Sequence, residues 1–149
     1  MPPTPDRHPR FLGPDDAADR QLGGTRLVKL TARDTAGDLY LVEGRMPPGS
    51  GVPLHRHSRE DEIFHVLAGR VELTVGDDTR EGGPGDVAYL PRGVAHAIRV
   101  VGDAEARVLN YVFPGANFEA FAKTLAAAGP APTAARRAEV AAAYGIEFL

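Results

Sequence analysis

Apolar and polar residues alternate in short runs between residues 25 and 113, and turns rich in glycine or proline separate the runs. Successive side chains of a strand point to opposite faces, so this pattern is typical of strands that pack one face on a core. The segments that show it most clearly are residues 25–31, 39–43, 70–75 and 106–113. We therefore predict a chain built mainly from antiparallel strands joined by tight turns.

After residue 113 the alternation stops, alanine becomes frequent and apolar positions recur at helical spacing. Asn117 can cap a first helix that Gly129-Pro130 ends, and Thr133 can cap a second helix that ends near Tyr144-Gly145. This extension can cover one end of the strand region or pack against a second copy of the chain. The pattern divides the chain into a mobile leader at residues 1–24, a strand domain at residues 25–113 and a helical extension at residues 114–149.

Composition narrows the class of protein without defining a function. At 149 residues the chain is long enough for one domain with a sizeable core, and its formal net charge is −3. It has no basic stripe typical of a nucleic-acid interface and no cysteine for disulfides or for a cysteine-ligated zinc site. It also shows neither a signal-peptide pattern nor an apolar run of the ~20 residues that a membrane helix needs. We expect no nucleic-acid or membrane partner and a cytoplasmic location.

Three histidines and one acid carry the candidate chemistry. His55 and His57 are two residues apart, so they point to the same face of a strand. Glu62 stands at the start of the next apolar run, and His96 follows a Pro91-Arg92-Gly93 turn, so two hairpins can bring all four side chains together. Imidazole and carboxylate ligands suit one divalent transition metal, which leaves iron, manganese, nickel, copper and zinc open.

Each of these ligands has a plainer alternative. A His-x-His pair alone also fits a surface turn after Pro53, because motifs this short often arise without a function. Asp61 is a rival for the acid, and it points to the face opposite Glu62 if the strand has already begun there. His65 lies three residues beyond Glu62, so it faces away from the cluster and is not included among the ligands. Burial favours the metal, because imidazoles and a carboxylate inside a domain are costly unless a cation pairs with them.

Two glycine-bounded motifs carry a resemblance to a known family. The first motif has the positions Gly49, His55, His57, Glu62 and Gly69, and the second has Gly85, Pro91, Gly93 and His96. In spacing and order they resemble the paired motifs of the cupin superfamily. The chain departs from that pattern at Val100, which replaces an asparagine that is not a metal ligand in the family. The six residues between Glu62 and Gly69 select Glu62 over Asp61 as the acid of the first motif.

The resemblance implies an all-β fold, a single jelly-roll (cupin) β-barrel at residues 25–113 with one or two C-terminal α-helices. It also implies that one divalent metal lies inside the barrel, held by His55, His57, Glu62 and His96. Barrels of this type commonly pair, so we expect a homodimer, with residues 25–31 as a candidate exchanged strand.

In finer detail the chain resembles the small single-domain bacterial cupins that are called quercetin dioxygenase-like. That similarity implies a dioxygenase-like metal enzyme acting on a small enolic or phenolic molecule, with Glu62 doubling as base toward a substrate hydroxyl. Phe64, Val66 and Ile98 share a face with the ligands on their strands and are candidate pocket residues. Two other classes stay open: a non-oxidative cyclase, isomerase or lyase acting on a polyketide-like or sugar-like substrate, and a non-catalytic small-molecule-binding cupin.

Overall fold

The computed structural model describes residues 6–149 of the chain. Within this range the protein forms two antiparallel β-sheets and two α-helices near the C-terminus. The strands are β1 (Asp19–Gln21), β2 (Arg26–Leu30), β3 (Tyr40–Met46), β4 (Gly51–His57), β5 (Asp61–Ala68), β6 (Arg70–Val75), β7 (Asp78–Gly82), β8 (Val87–Leu90), β9 (His96–Val101), β10 (Ala106–Phe113) and β11 (Ile146–Phe148). The helices are α1 (Ala116–Ala127) and α2 (Ala134–Ala143).

The two sheets face each other with their apolar sides inward. The first sheet has the strand order β1-β2-β3-β10-β5-β8, and the second has the order β11-β4-β9-β6-β7. One group of buried side chains joins them, with Phe64 and Val108 from the first sheet and Val71 and Val100 from the second. The predicted all-β jelly roll with two C-terminal helices is therefore confirmed, although the two sheets are separate and do not close into one ring.

The burial pattern of β5 decides which acid enters the interior. Glu62, Phe64 and Val66 are buried, whereas the residues between them are partly exposed, as the two-residue period of a strand requires. Asp61 has its carboxylate at the surface, where Oδ2 lies 3.0 Å from Nη2 of Arg92. The structure thus places Glu62 inside the protein and Asp61 in a surface ion pair.

The C-terminal extension covers the inner face of the first sheet. A second group of buried side chains joins it to that sheet and includes Val42, Val112, Phe118 and Val140. The chain then returns as β11, which the sequence did not predict and which pairs antiparallel with β4 of the second sheet. Neither helix within residues 6–149 has the length and apolar character needed to cross a membrane.

The two predicted helix caps have different outcomes. Thr133 caps α2, because its hydroxyl accepts a 3.1 Å hydrogen bond from the backbone nitrogen of Arg136. The cap predicted at Asn117 is wrong, since α1 begins at Ala116 and its N-cap is Gly115, two residues before Asn117. A Cβ on Gly115 would lie 2.5 Å from the carbonyl carbon of Leu39, so this N-cap position requires glycine. The Asn117 side chain makes contacts elsewhere.

Part of the predicted leader belongs to the first sheet. β1 pairs with β2, so strand structure begins before residue 25. Further upstream, the Lys29 ammonium donates hydrogen bonds to the backbone carbonyls of Gly13, Pro14 and Asp16 and ties that segment to the sheet. Residues 1–5 of the leader lie outside the described residues. β2, the candidate exchanged strand, lies between β1 and β3 of its own chain.

Candidate metal centre

Three strands bring the predicted ligands to one point. β4 ends at His57, β5 places Glu62 at its second residue, and β9 begins at His96 beside His55. All four side chains are buried, with exposed fractions between 2% and 7%. One potential ligand atom from each lies within 4.8 Å of the others. The structure therefore assembles the residues that the sequence singled out, and the cluster can bind one metal ion.

Hydrogen bonds at the outer nitrogen fix the tautomer of each histidine. A carbonyl or carboxylate oxygen only accepts, so each Nδ1 carries the proton and donates it outward. The acceptors are the carbonyl of Pro53 for His55 at 2.8 Å, Oε2 of Glu60 for His57 at 3.1 Å, and the carbonyl of Val94 for His96 at 3.3 Å. Each Nε2 then presents a lone pair, the form in which imidazole binds a metal.

The centre of the cluster contains two polar atoms that lack a hydrogen bond. Oε2 of Glu62 lies 2.9 Å from Nε2 of His96 and 3.1 Å from Nε2 of His57. Nevertheless, Glu62 Oε2 and His96 Nε2 are fully buried without a hydrogen-bond partner among the described residues. Buried polar atoms are rarely left in this state, because their desolvation is then uncompensated. A shared cation resolves the conflict, so the donor set fits a divalent transition metal.

The electrostatics of the cluster maintain the protonation states that a metal needs. Burial first, and then the neighbouring His96, lower the pKa of His55 to about 4. At neutral pH His55 is therefore neutral, even before a metal binds.

Glu60 is a residue of the candidate centre that the sequence reasoning missed. Its side chain is 1% exposed, and besides facing His57 it accepts a 2.5 Å hydrogen bond from Nδ2 of Asn117. Asn117 Nδ2 also donates to the carbonyl of Tyr144 at 2.8 Å, so α1 and the end of α2 both support this carboxylate. Metal-binding histidines commonly donate their second nitrogen to such a carboxylate. The sequence feature that could have identified Glu60 is its position in the short β4–β5 connection, beside a candidate ligand.

Asn110 is a second residue that the motif analysis missed. It lies on β10 opposite Phe64 of β5, on the inner face of the first sheet. Its Nδ2 donates to Oε1 of Glu62 at 3.2 Å, while its own Oδ1 is buried without a hydrogen-bond partner among the described residues. Asn110 therefore orients the Glu62 carboxylate and leaves Oε2 for the centre. Strand parity could have identified Asn110, since Val108 and Val112, which share its face of β10, are buried.

An apolar cavity of about 300 Å³ opens from the cluster. His55, His57 and Glu62 form its polar end, and Phe64 and Ile98 lie in its walls as predicted from strand parity. Val66, the third predicted pocket residue, is not part of the lining. It is fully buried in the core between the sheets, because strand parity defines the face of a residue but not its depth along the strand.

The C-terminal extension supplies the aromatic side of this cavity. Phe118 of α1 has its ring centroid 5.6 Å from that of His57. Phe148 of β11 stacks on His55 with a centroid separation of 5.3 Å and an interplanar angle of 28°. Two of the candidate histidine ligands are therefore held in place partly by residues that follow the strand domain.

The fold and the site together define the family. The family model for the cupin domain matches residues 36–112, and this chain belongs to the cupin family. The matched segment contains the four clustered side chains, together with Glu60 and Asn110.

Individual relatives span several activities. Quercetin 2,3-dioxygenase from Bacillus subtilis is 28% identical over 110 residues, which is 72% of this chain and 32% of the relative. Polyketide synthase CurC from Streptomyces cyaneus is 30% identical over 99 residues, covering 64% of this chain and 63% of the relative. The crystal structure of a predicted oxalate decarboxylase from Thermotoga maritima superposes with a TM-score of 0.57 at 25% identity, covering 59% of this chain and 77% of that protein. The matches thus cover less than two thirds of the length of both curated relatives.

Proposed function

We propose that the protein is a metal-dependent enzyme of dioxygenase-like type that acts on a small enolic or phenolic molecule. The observation that carries this proposal is the convergence of Glu62 Oε2 and His96 Nε2, which lie 2.9 Å apart and have no hydrogen-bond partner within residues 6–149, while Glu62 also lines an apolar cavity. The similarity to quercetin 2,3-dioxygenase supports the oxidative form of the reaction. The substrate is a molecule that fits about 300 Å³, near the lower limit of small-molecule pockets.

The residues of the site would have distinct roles in such a reaction. His55, His57, Glu62 and His96 would hold the ion, which supplies Lewis acidity and, if it is redox-active, the means to react with dioxygen. Phe64 and the other apolar walls exclude water, which strengthens the attraction between a substrate oxyanion and the charged end of the cavity.

Proton transfer falls to Glu62 in this proposal. Its carboxylate lines the cavity as well as the cluster, so it is placed to accept the proton of a substrate hydroxyl. Asn110 holds Oε1 of this carboxylate through a 3.2 Å hydrogen bond and so limits its rotation. To act efficiently as a base, the carboxylate would have to move away from the ion or transfer the proton onward.

The test combines metal analysis with oxygen consumption. Protein purified without added metal is analysed by elemental mass spectrometry and then mixed with flavonols and with enolic 1,3-diketones in an oxygen electrode. We expect about one equivalent of a redox-active metal and substrate-dependent oxygen uptake that His57→Ala abolishes. Protein that takes up no divalent metal, or turnover that proceeds equally well without oxygen, would contradict the proposal.

A non-oxidative reaction is the second candidate. The similarity to polyketide synthase CurC favours it, because the same four side chains can serve a cyclase or lyase that uses the ion only as a Lewis acid. In the same assay, anaerobic turnover of an enolic substrate would support this candidate. Tight ligand binding without any turnover would instead support a binding protein.

We also propose that the protein pairs as a homodimer. This proposal rests on the common pairing of barrels of this type and not on a contact observed in the structure. Sedimentation velocity at micromolar concentration tests it, and a single species with the mass of one 15.8 kDa chain would contradict it.

A further inference from the structure

The cavity contains a cation that lacks an acidic partner. Arg26 of β2 lines the same cavity as His55, His57 and Glu62. Within residues 6–149 its guanidinium forms no ion pair with a carboxylate, and its buried Nε has no hydrogen-bond partner. Arg45, which also lines the cavity, differs in this respect because Glu43 and Asp15 both pair with it. Arg137 of α2 also lines the cavity, where it lies over the ring of Phe148, but within the described range it has no buried nitrogen without a partner. Arg26 is thus the cavity arginine with a buried N–H that the described chain leaves unpaired.

Local structure explains how Arg26 reaches the interior. It lies opposite Gly44 in the β2–β3 ladder, and Gly44 carries no side chain that would occupy the space above the sheet. The guanidinium carbon lies 5.3 Å from the ring centroid of Phe118, and that ring is 5.6 Å from the ring of His57. The face of one phenylalanine therefore connects the guanidinium to the metal cluster.

These contacts satisfy the cation only in part. A cation–π contact stabilises the charge but engages none of the five N–H donors of a guanidinium. Burial lowers the pKa of Arg26, and Tyr40 and Glu62 oppose that shift without removing it. Because an unpaired buried donor such as Nε is costly, a ligand that supplies the missing acceptor would stabilise this arrangement.

The formal charge of the cavity leads to the same conclusion. A divalent ion at the cluster would be offset by the two buried carboxylates, Glu60 and Glu62. The charges of Arg26 and Arg137 would then remain at the cavity, which favours an anionic group on a ligand. A planar carboxylate suits the guanidinium fork, which presents two parallel N–H donors to it.

We infer that Arg26 anchors a carboxylate of the substrate, so that the substrate is a small enolic or phenolic carboxylic acid. This inference rests on the proposed function, which assigns the enolic or phenolic oxygen to the cluster of His55, His57, Glu62 and His96. The flat body of the molecule lies along Phe118, with its carboxylate at Arg26 and its hydroxyl toward the imidazoles. The cavity volume of about 300 Å³ limits the body to one or two rings.

A matched pair of aromatic probes tests the inference without knowledge of the substrate. 4-Hydroxybenzoate carries a phenolic oxygen and a carboxylate at opposite ends of one ring, and 4-hydroxybenzamide replaces the carboxylate by a neutral amide of almost the same shape. We expect the zinc-loaded protein to bind 4-hydroxybenzoate at least tenfold more tightly than 4-hydroxybenzamide in titrations followed by NMR. Arg26→Gln should reduce this preference below threefold by weakening 4-hydroxybenzoate binding alone, with 4-hydroxybenzamide affinity changed less than twofold.

Two further variants keep the test decisive. Arg26→Lys retains the charge without the fork, so it should keep an intermediate preference even if Arg26→Gln folds poorly. Arg99→Gln removes the same charge from the outer face of β9, where Arg99 pairs with Glu72, and should keep the full preference. Equal affinities of the wild-type protein for the two probes, or no binding of either, would overturn the inference. A preference that survives Arg26→Gln, or is lost equally in Arg99→Gln, would overturn it as well.

The same titrations separate this inference from the proposed function. Zinc uptake is measured independently, and the probe preference is also measured in metal-free protein. Failure to bind zinc would defeat the proposed function, while the preference in metal-free protein would still decide the role of Arg26. Zinc uptake with a preference independent of Arg26 would defeat only the carboxylate anchor.

Discussion

Replacing Glu60 by Gln should weaken metal binding although Glu60 is not one of the four proposed ligands. Its carboxylate accepts two hydrogen bonds, from His57 Nδ1 at 3.1 Å and from Asn117 Nδ2 at 2.5 Å. An amide of the same shape has one acceptor and one donor, so one of the two contacts becomes donor against donor in either orientation. Asn117 cannot turn over to relieve this conflict without losing its hydrogen bond to the carbonyl of Tyr144.

The remaining way to relieve this donor–donor conflict is a change of tautomer at His57, and that change weakens metal binding. If Nδ1 of His57 accepts a hydrogen bond from the new amide, the proton moves to Nε2 and blocks the lone pair that faces the centre. Loss of such an outer partner typically lowers metal affinity about 10–100-fold. This range corresponds to about 1.4–2.7 kcal/mol of binding free energy.

Competitive titration of Zn²⁺ against a chromophoric chelator at pH 7.5 measures the effect. Asp61→Asn is the matched control, because it changes the neighbouring acid, which makes a surface ion pair with Arg92. We expect the zinc dissociation constant to rise 10–100-fold in Glu60→Gln and to stay within twofold in Asp61→Asn. An unchanged constant in Glu60→Gln, or equal losses in both variants, would refute the proposed orientation of His57 by Glu60.

Four further predictions concern the site and its walls. His96→Ala should abolish zinc uptake under the same titration, and retention of stoichiometric zinc would show that the cluster is not the site. Glu62→Gln should lower kcat more than metal occupancy if the carboxylate is the base; lost occupancy with unchanged turnover per bound metal would limit Glu62 to a ligand. Because the pKa of His55 is 6.5 in the unfolded chain and about 4 in the folded protein, the metal-free protein should lose about 2 kcal/mol of stability in urea unfolding between pH 8 and pH 5. His55→Asn, whose side-chain amide can keep the bond to the Pro53 carbonyl, should flatten that dependence, and an unchanged slope would contradict the assignment. Phe118→Ala removes a 5% exposed ring and should cost about 3–5 kcal/mol in the same assay, so a loss below about 1 kcal/mol would show that the extension is loosely packed.

The sequence predicted the four clustered residues because their placement is encoded locally. The two-residue period of strands sets the shared face of His55 and His57, and it separates Glu62 from Asp61. Gly69, with a φ of 79°, ends β5 in a conformation that favours glycine, which is why a glycine-bounded motif keeps its register. The metal itself and the reaction are proposals that no local pattern decides.

The residues that the sequence did not identify depend on contacts between distant segments. Asn117 and Glu60 are 57 positions apart, and their hydrogen bond exists only because the first turn of α1 lies against the β4–β5 connection. Strand parity placed Val66 on the correct face, but the packing of two sheets decides whether such a residue reaches the cavity or the core. The position of Arg26 at the cavity also depends on distant segments, because it needs the absence of a side chain at Gly44 and the ring of Phe118.

The chain of hydrogen bonds from Tyr144 through Asn117 and Glu60 to His57 has a thermodynamic consequence for the whole tail. Coupling between two events is reciprocal, so whatever free energy the docked tail contributes to holding the ion, the ion returns to holding the tail in place. Loading the centre would therefore slow backbone amide exchange in α1 and β11, far more than in β7 at the opposite edge. The cavity wall that this tail forms would be rigid in the metal-loaded protein, and a chelator that removes the ion would loosen it.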